Sequence, residues 1–179
     1  MKGVVFNVVE DVVTDLLGAD AWDAVLDDAG LGGAYTSLGQ YDDSELDAIV
    51  HAAAARTGLA AGAVLALVGT HAYAHLAARA SGLVEPYRDL ASLLAALDEV
   101  VHPEVTKLYP GARPPSFQVE TEPDGTVRLR YVSTRRLCRL AEGLVVGAAR
   151  HLGGDATVEH RACLDHGADA CVLAITPAA

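Results

Sequence analysis

Three groups of residues have the types and spacing to do chemistry. His102 stands late in an apolar helical stretch, Leu97-Asp98-Glu99-Val100-Val101-His102-Pro103. An imidazole there is either a half-buried side chain near a helix end, where a cation is mildly favoured, or an axial ligand for haem iron on a rigid support. Pro103 lacks an N–H and collides with the turn before it, so a kink just after His102 is expected. Tyr131, Ser133 and Arg135 fall at i, i+2 and i+4. On a strand this spacing puts two hydroxyls and a guanidinium on one face. Such a set suits a pair of carboxylates, with Arg bidentate and the hydroxyls filling the remaining lone pairs. It equally describes an ordinary polar strand face. The third group is Cys138, His160, Cys163 and Cys171. Together they make a Cys3His set, which is a closed tetrahedral zinc site. The alternative is three buried free thiols. A closed set is structural rather than catalytic, though its thiolates would be open to oxidation. Glu159 beside His160 is the nearest hint of a zinc hydrolase. A closed Cys3His site leaves no open coordination place, so no enzyme is expected.

The elements that must position these groups follow from periodicity. Residues 2–17 carry Val5, Val8, Val9, Val12, Val13 and Leu16 at helical spacing, and Gly18 ends the run. Helices are also expected over residues 21–28, 44–56, 60–80, 90–108 and 135–151. For the 44–56 helix Ser44 is the expected N-cap, with Asp47 three residues on. Asp89 caps the 90–108 helix. Residues 116–121 and 127–132 alternate like strands, and Pro123-Asp124-Gly125 between them is a turn, so they form a hairpin. Residues 157–164 and 170–176 form a second hairpin, closed at Gly167. Many helices, a hairpin, a helix and a hairpin give an α+β fold: a helical N-terminal subdomain against an antiparallel sheet.

Composition bounds the function. The chain has 179 residues, enough for one domain, with 51% apolar and 21% charged residues, as in a globular protein with a core. Its formal charge of −11 disfavours nucleic acid and anionic membrane surfaces. Three cysteines do not make a secreted disulfide framework, which points to a reducing compartment. The N-terminus runs into acids too soon for a signal peptide. The apolar window 59–68 is about half of a membrane span. A cytoplasmic location is the expectation.

With these residues in view, the chain resembles the haem–nitric oxide/oxygen binding family (H-NOX), bacterial relatives of the sensory domain of soluble guanylate cyclase. The resemblance runs along essentially the whole chain, residues 1–179. It rests on Met1-Lys2-Gly3 opening into a helix, Asp98-Glu99-Val100-Val101-His102, Arg113-Pro114-Pro115-Ser116-Phe117 and Tyr131-x-Ser133-x-Arg135. It implies haem b buried between a helical subdomain of about residues 1–60 and a haem-ligand and sheet subdomain of about residues 61–179. His102 would be the proximal ligand, and Tyr131, Ser133 and Arg135 would hold the propionates. Val5 and Pro115 would press on the porphyrin. Cys138, His160, Cys163 and Cys171 look like the zinc site of some bacterial members.

The distal pocket is expected to contain Val9, Leu140 and Leu144. Oxygen-binding members carry a tyrosine where this chain has Leu140, which implies a sensor of NO (also of CO) that refuses O2. Tyr73, His71 or His75 could reach that pocket; otherwise Tyr73 packs and the histidines face solvent. NO binding would weaken the bond to His102, and release of its helix would shift the helical subdomain. Output would pass in trans to a histidine kinase or a cyclic-di-GMP enzyme. Two competing readings are a haem-free, V4R-like small-ligand module and a zinc-thiolate redox sensor.

Overall fold

A computed structural model of the chain describes residues 1–178. The helices are α1 (Gly3–Leu17), α2 (Ala19–Ala29), α3 (Asp43–Thr57), α4 (Ala61–Arg79), α5 (Ser81–Val84), α6 (Leu90–Ala95), α7 (His102–Leu108) and α8 (Cys138–His151). The strands are β1 (Ser116–Thr121), β2 (Val127–Val132), β3 (Ala156–Ala162) and β4 (Cys171–Pro177), all antiparallel in the order β1-β2-β4-β3. The fold is α+β, and both hairpins form as expected.

Three local expectations are corrected. The first helical turn of α3 is capped by Asp42, not Ser44, and Glu45 rather than Asp47 completes the capping box. Asp42 sits one residue outside the first apolar period, and its carboxylate accepts from the Ser44 N–H at 2.8 Å. Residues 90–108 are not one helix with a kink after His102. The break precedes it: α6 ends at Ala95, a π turn spans Leu97–Val101, and α7 begins at His102. Pro103 then occupies the first turn of α7, where a missing N–H has no partner to lose. Asp89 caps α6 as expected, accepting from the Ser92 N–H at 2.8 Å. Finally, α8 starts at Cys138 rather than Arg135, because residues 133–137 form an irregular turn. Arg136 there holds φ 52°, the one positive φ on a non-glycine among the described residues.

The core divides into two apolar clusters. One joins α1, α2, α3 and the first half of α4, with Phe6, Val12, Val25 and Ile49 almost fully buried. The other lies between α6, α8 and the inner face of the sheet, around Leu93, Leu129, Leu173 and Ile175. α4 and α8 cross between them at backbone contact distance. A Cβ on Gly69 would stand 2.4 Å from the Leu140 carbonyl oxygen, and one on Gly143 2.1 Å from that of Ala66. Only glycine permits this approach, so Gly143→Ala must force the helices apart. Overpacking of this kind costs about 1–3 kcal/mol or more, and a drop of several degrees in Tm is expected by thermal denaturation.

α4 is also long and apolar enough to cross a membrane by length and composition alone, so the apolar segment is longer than the 59–68 window suggested. In this fold α4 packs on α8 and against α1.

Candidate haem pocket and thiol cluster

A cavity of about 360 Å³ opens between α1, α4, α7, α8 and the sheet. Its volume lies in the range of small-molecule sites. His102 forms part of one wall, with Leu97, Val101 and Val105 beside it. Tyr131, Ser133 and Arg135 line the same cavity, so the structure brings the first two predicted groups to one place. Pro115 and Val5 line it too.

The His102 ring is set from behind. Its Nδ1 lies 3.3 Å from Asp98 Oδ1, and Phe117 packs at 5.4 Å between ring centroids. The side chain is 17% exposed. Burial pushes the imidazole below its usual range, against the Asp98 carboxylate and the Pro115 carbonyl, which pull the other way. A neutral ring with Nδ1 turned to Asp98 leaves Nε2 as the free donor atom.

The clamp residues do not sit on one continuous strand. Tyr131 ends the buried register of β2, and the turn at 133–137 carries Ser133 and Arg135. The turn is tied by its own side chains. Ser133 Oγ accepts from the Arg135 N–H at 3.2 Å, and Tyr131 Oη from the Leu137 N–H at 3.2 Å. Arg135 donates through Nε to Asp43 Oδ2 at 2.9 Å and through Nη1 to the Arg113 carbonyl at 2.6 Å. Asp43, from the first turn of α3, also accepts from the Met1 amino group at 2.6 Å. Asp43 is 92 residues from Arg135, and no local pattern announces the pair.

A smaller cavity of about 120 Å³ lies on the helical side. Leu140, Leu144, Leu76 and Val5 form a wall common to both cavities, while Val9 lines only the smaller one. Tyr73 reaches the larger cavity and packs edge-on to His151 at 5.5 Å. His71 is exposed, and His75 bonds to Asp15 at 3.0 Å on the surface between α1 and α4. Neither histidine lines either cavity.

Cys138, Cys163 and Cys171 are buried together. Cys163 Sγ lies 3.5 Å from Cys138 Sγ and 3.7 Å from Cys171 Sγ. Tetrahedral zinc with bonds of about 2.3 Å separates its sulfurs by about 3.8 Å, so the three thiols fit such an ion. Burial raises the Cys138 and Cys171 thiols above their usual range, so without a cation they stay protonated. His160 does not join them. Its Nε2 bonds Glu142 Oε2 at 2.9 Å, one turn along α8 from Cys138, and a bulge separates it from Ala162 in the β3–β4 register. Its Nδ1 is buried without a hydrogen-bond partner among the described residues. Asp165, which sequence reasoning missed, lies 3.4 Å from Cys138 Sγ.

The lining suits an apolar group bearing carboxylates: apolar walls, an imidazole and three polar side chains that can donate. The haem-NO-binding family model matches residues 2–160. An H-NOX protein from S. oneidensis, solved in the Fe(II)NO state, is 36% identical, with TM-score 0.93 and all of both chains covered. The H-NOX domain of Shewanella oneidensis in the Fe(II)CO state is 36% identical, with TM-score 0.88, covering 98% of this chain and 97% of that one. An Fe(II) unliganded H-NOX protein from K. algicida is 26% identical, with TM-score 0.87, covering 100% and 97%. No curated protein matches the chain in sequence.

Proposed function

Because the chain belongs to the haem-NO-binding family, we propose that it is a haem-based gas sensor, selective for NO over O2, with His102 as proximal ligand. When bound, haem iron supplies an open coordination place for a diatomic gas. The observation that carries the reading is one cavity holding both the His102 imidazole and the Tyr131, Ser133 and Arg135 donors. Tyr131 and Ser133 would donate their hydroxyl hydrogens to the cofactor's carboxylates, and Arg135, held by Asp43, would add positive charge beside them. Val5 and Pro115, which line the cavity, would bear on the cofactor from its wall. Burial disfavours the charged form of His102, and with Nδ1 turned to Asp98 its Nε2 would be the atom offered to iron.

Leu140 and Leu144 give the far side an apolar wall. Bound O2 carries partial negative charge and needs a donor, and leucine offers none. NO needs little such help. Release of His102 would free α7 and let the helical subdomain, about residues 1–60, shift against the rest. A gas moves that balance only by its differential affinity for the two states. The function is sensing rather than catalysis, in a reducing cytoplasm. Output passes to a separate partner, a histidine kinase or a cyclic-di-GMP enzyme.

The absorption spectrum of the reduced protein tests this reading. We expect a high-spin ferrous haem band that is unchanged in air-equilibrated buffer and shifts on adding NO. A stable oxygenated spectrum would sink the Leu140 argument, and absence of any haem band would favour the V4R-like module.

We also propose zinc at the three thiols; His160 stands outside their cluster and would have to turn its unpartnered Nδ1 towards them to be the fourth donor. Asp165 competes for that place.

A further inference from the structure

We propose that Asp98 is a positioning residue that sets the strength of the bond His102 makes to iron; this rests on the haem reading above. The π turn Leu97–Val101 carries Asp98 into the space behind His102, where Oδ1 stands 3.3 Å from Nδ1. Asp98 Oδ1 and His102 Nδ1 are both buried, and neither has another hydrogen-bond partner among the described residues. Each is therefore available to the other, with the Pro115 carbonyl as a second acceptor beside the ring. A small rotation of the ring turns the ion-pair distance into an aligned N–H···O bond.

The carboxylate is itself anchored. Asp98 Oδ2 accepts from Ser116 Oγ at 3.0 Å and from the Phe117 N–H at 2.8 Å, both at the start of β1. Those two bonds hold the carboxylate against the sheet. Phe117 also packs on the His102 ring.

A carboxylate facing the non-ligating nitrogen of a metal-bound histidine fixes its tautomer and makes the other nitrogen a stronger donor. Asp98 does this for Nε2. It also links the ring mechanically to β1, so that movement of α7 is felt next to Pro115. In a sensor that switches by loosening His102, Asp98 then sets how much loosening a gas must supply.

The test uses the whole haem-loaded protein with Asp98→Asn and Ser116→Ala. Asp98→Asn removes the charge. The expected result is a lower iron–histidine stretching frequency by resonance Raman, a more positive haem midpoint potential, and about a 10-fold or greater loss of haem affinity. Ser116→Ala keeps the carboxylate and loses only a tether, so it should leave stretch and potential close to those of the unmodified protein. Unchanged stretch and potential in Asp98→Asn would overturn the proposal. Equal shifts in both variants would also overturn it, because Asp98 would then act only as a brace for β1. Should Asp98→Asn not fold, Asp98→Glu displaces the carboxylate by one methylene; the same shifts in smaller size are expected, and none would refute the idea. Absence of an iron–histidine band in the unmodified protein is a separate result: it removes the haem reading and this proposal together.

Discussion

Replacing His102 by glycine is expected to remove haem from the purified protein, and added imidazole is expected to restore it. The ring is the one imidazole lining the cavity among the described residues, with its Nδ1 turned towards Asp98 and its charged form disfavoured by burial. Partners outside the ligand shell are each worth about 10–100-fold in metal affinity, so losing the ligand itself should exceed about 100-fold. Free imidazole fills the space left and returns the bond without the tether to α7. The readout is haem absorbance after gel filtration, with and without imidazole. Haem retained unchanged in imidazole-free buffer would show that His102 is not the ligand.

The second large effect is expected at the thiol cluster. Cys163 lies between Cys138 and Cys171 and contacts both sulfurs. Cys163→Ser should abolish stoichiometric zinc, measured by elemental analysis. Loss of a structural metal is one of the few single changes that cost more than about 4 kcal/mol. At roughly 2–4 °C per kcal/mol for a chain of this size, Tm should fall by about 10 °C or more. A chelator should lower the Tm of the unmodified protein but not of the variant. His160→Ala and Asp165→Ala then separate the two candidates for fourth donor, since only the true ligand will weaken zinc retention. A zinc-free unmodified protein that melts with the variant would leave the cysteines as core.

Much of this arrangement is legible along the chain because it is local. The Pro123-Asp124-Gly125 turn fixes the first hairpin, and apolar periods mark the long helices. The Tyr131, Ser133 and Arg135 spacing announces a donor set even though a turn, not a strand, delivers it. What escapes is what depends on distant packing. The pairing of β2 with β4 joins two hairpins that each look complete. Asp43 meets Arg135 across 92 residues. His160 has the right type and spacing for a ligand, yet Glu142 on a neighbouring helix takes its Nε2. The π turn before His102, which brings Asp98 behind the ring, leaves no composition signal. Pro103 was read as a breaker when it starts α7.

Asp43 gives the pocket a particular response to acid. Burial works against its charge, but hydrogen bonds from the Met1 amino group and from Arg135 outweigh that and hold the carboxyl below its ordinary range. A carboxyl lowered on folding stabilises the fold fully above its unfolded value of about 3.9, and that contribution fades only as pH falls through the lower folded value. The contact between α3 and the turn that carries Arg135 is therefore constant from mildly acidic to neutral pH. Protons in that window do not loosen this joint; only strong acid unfastens it.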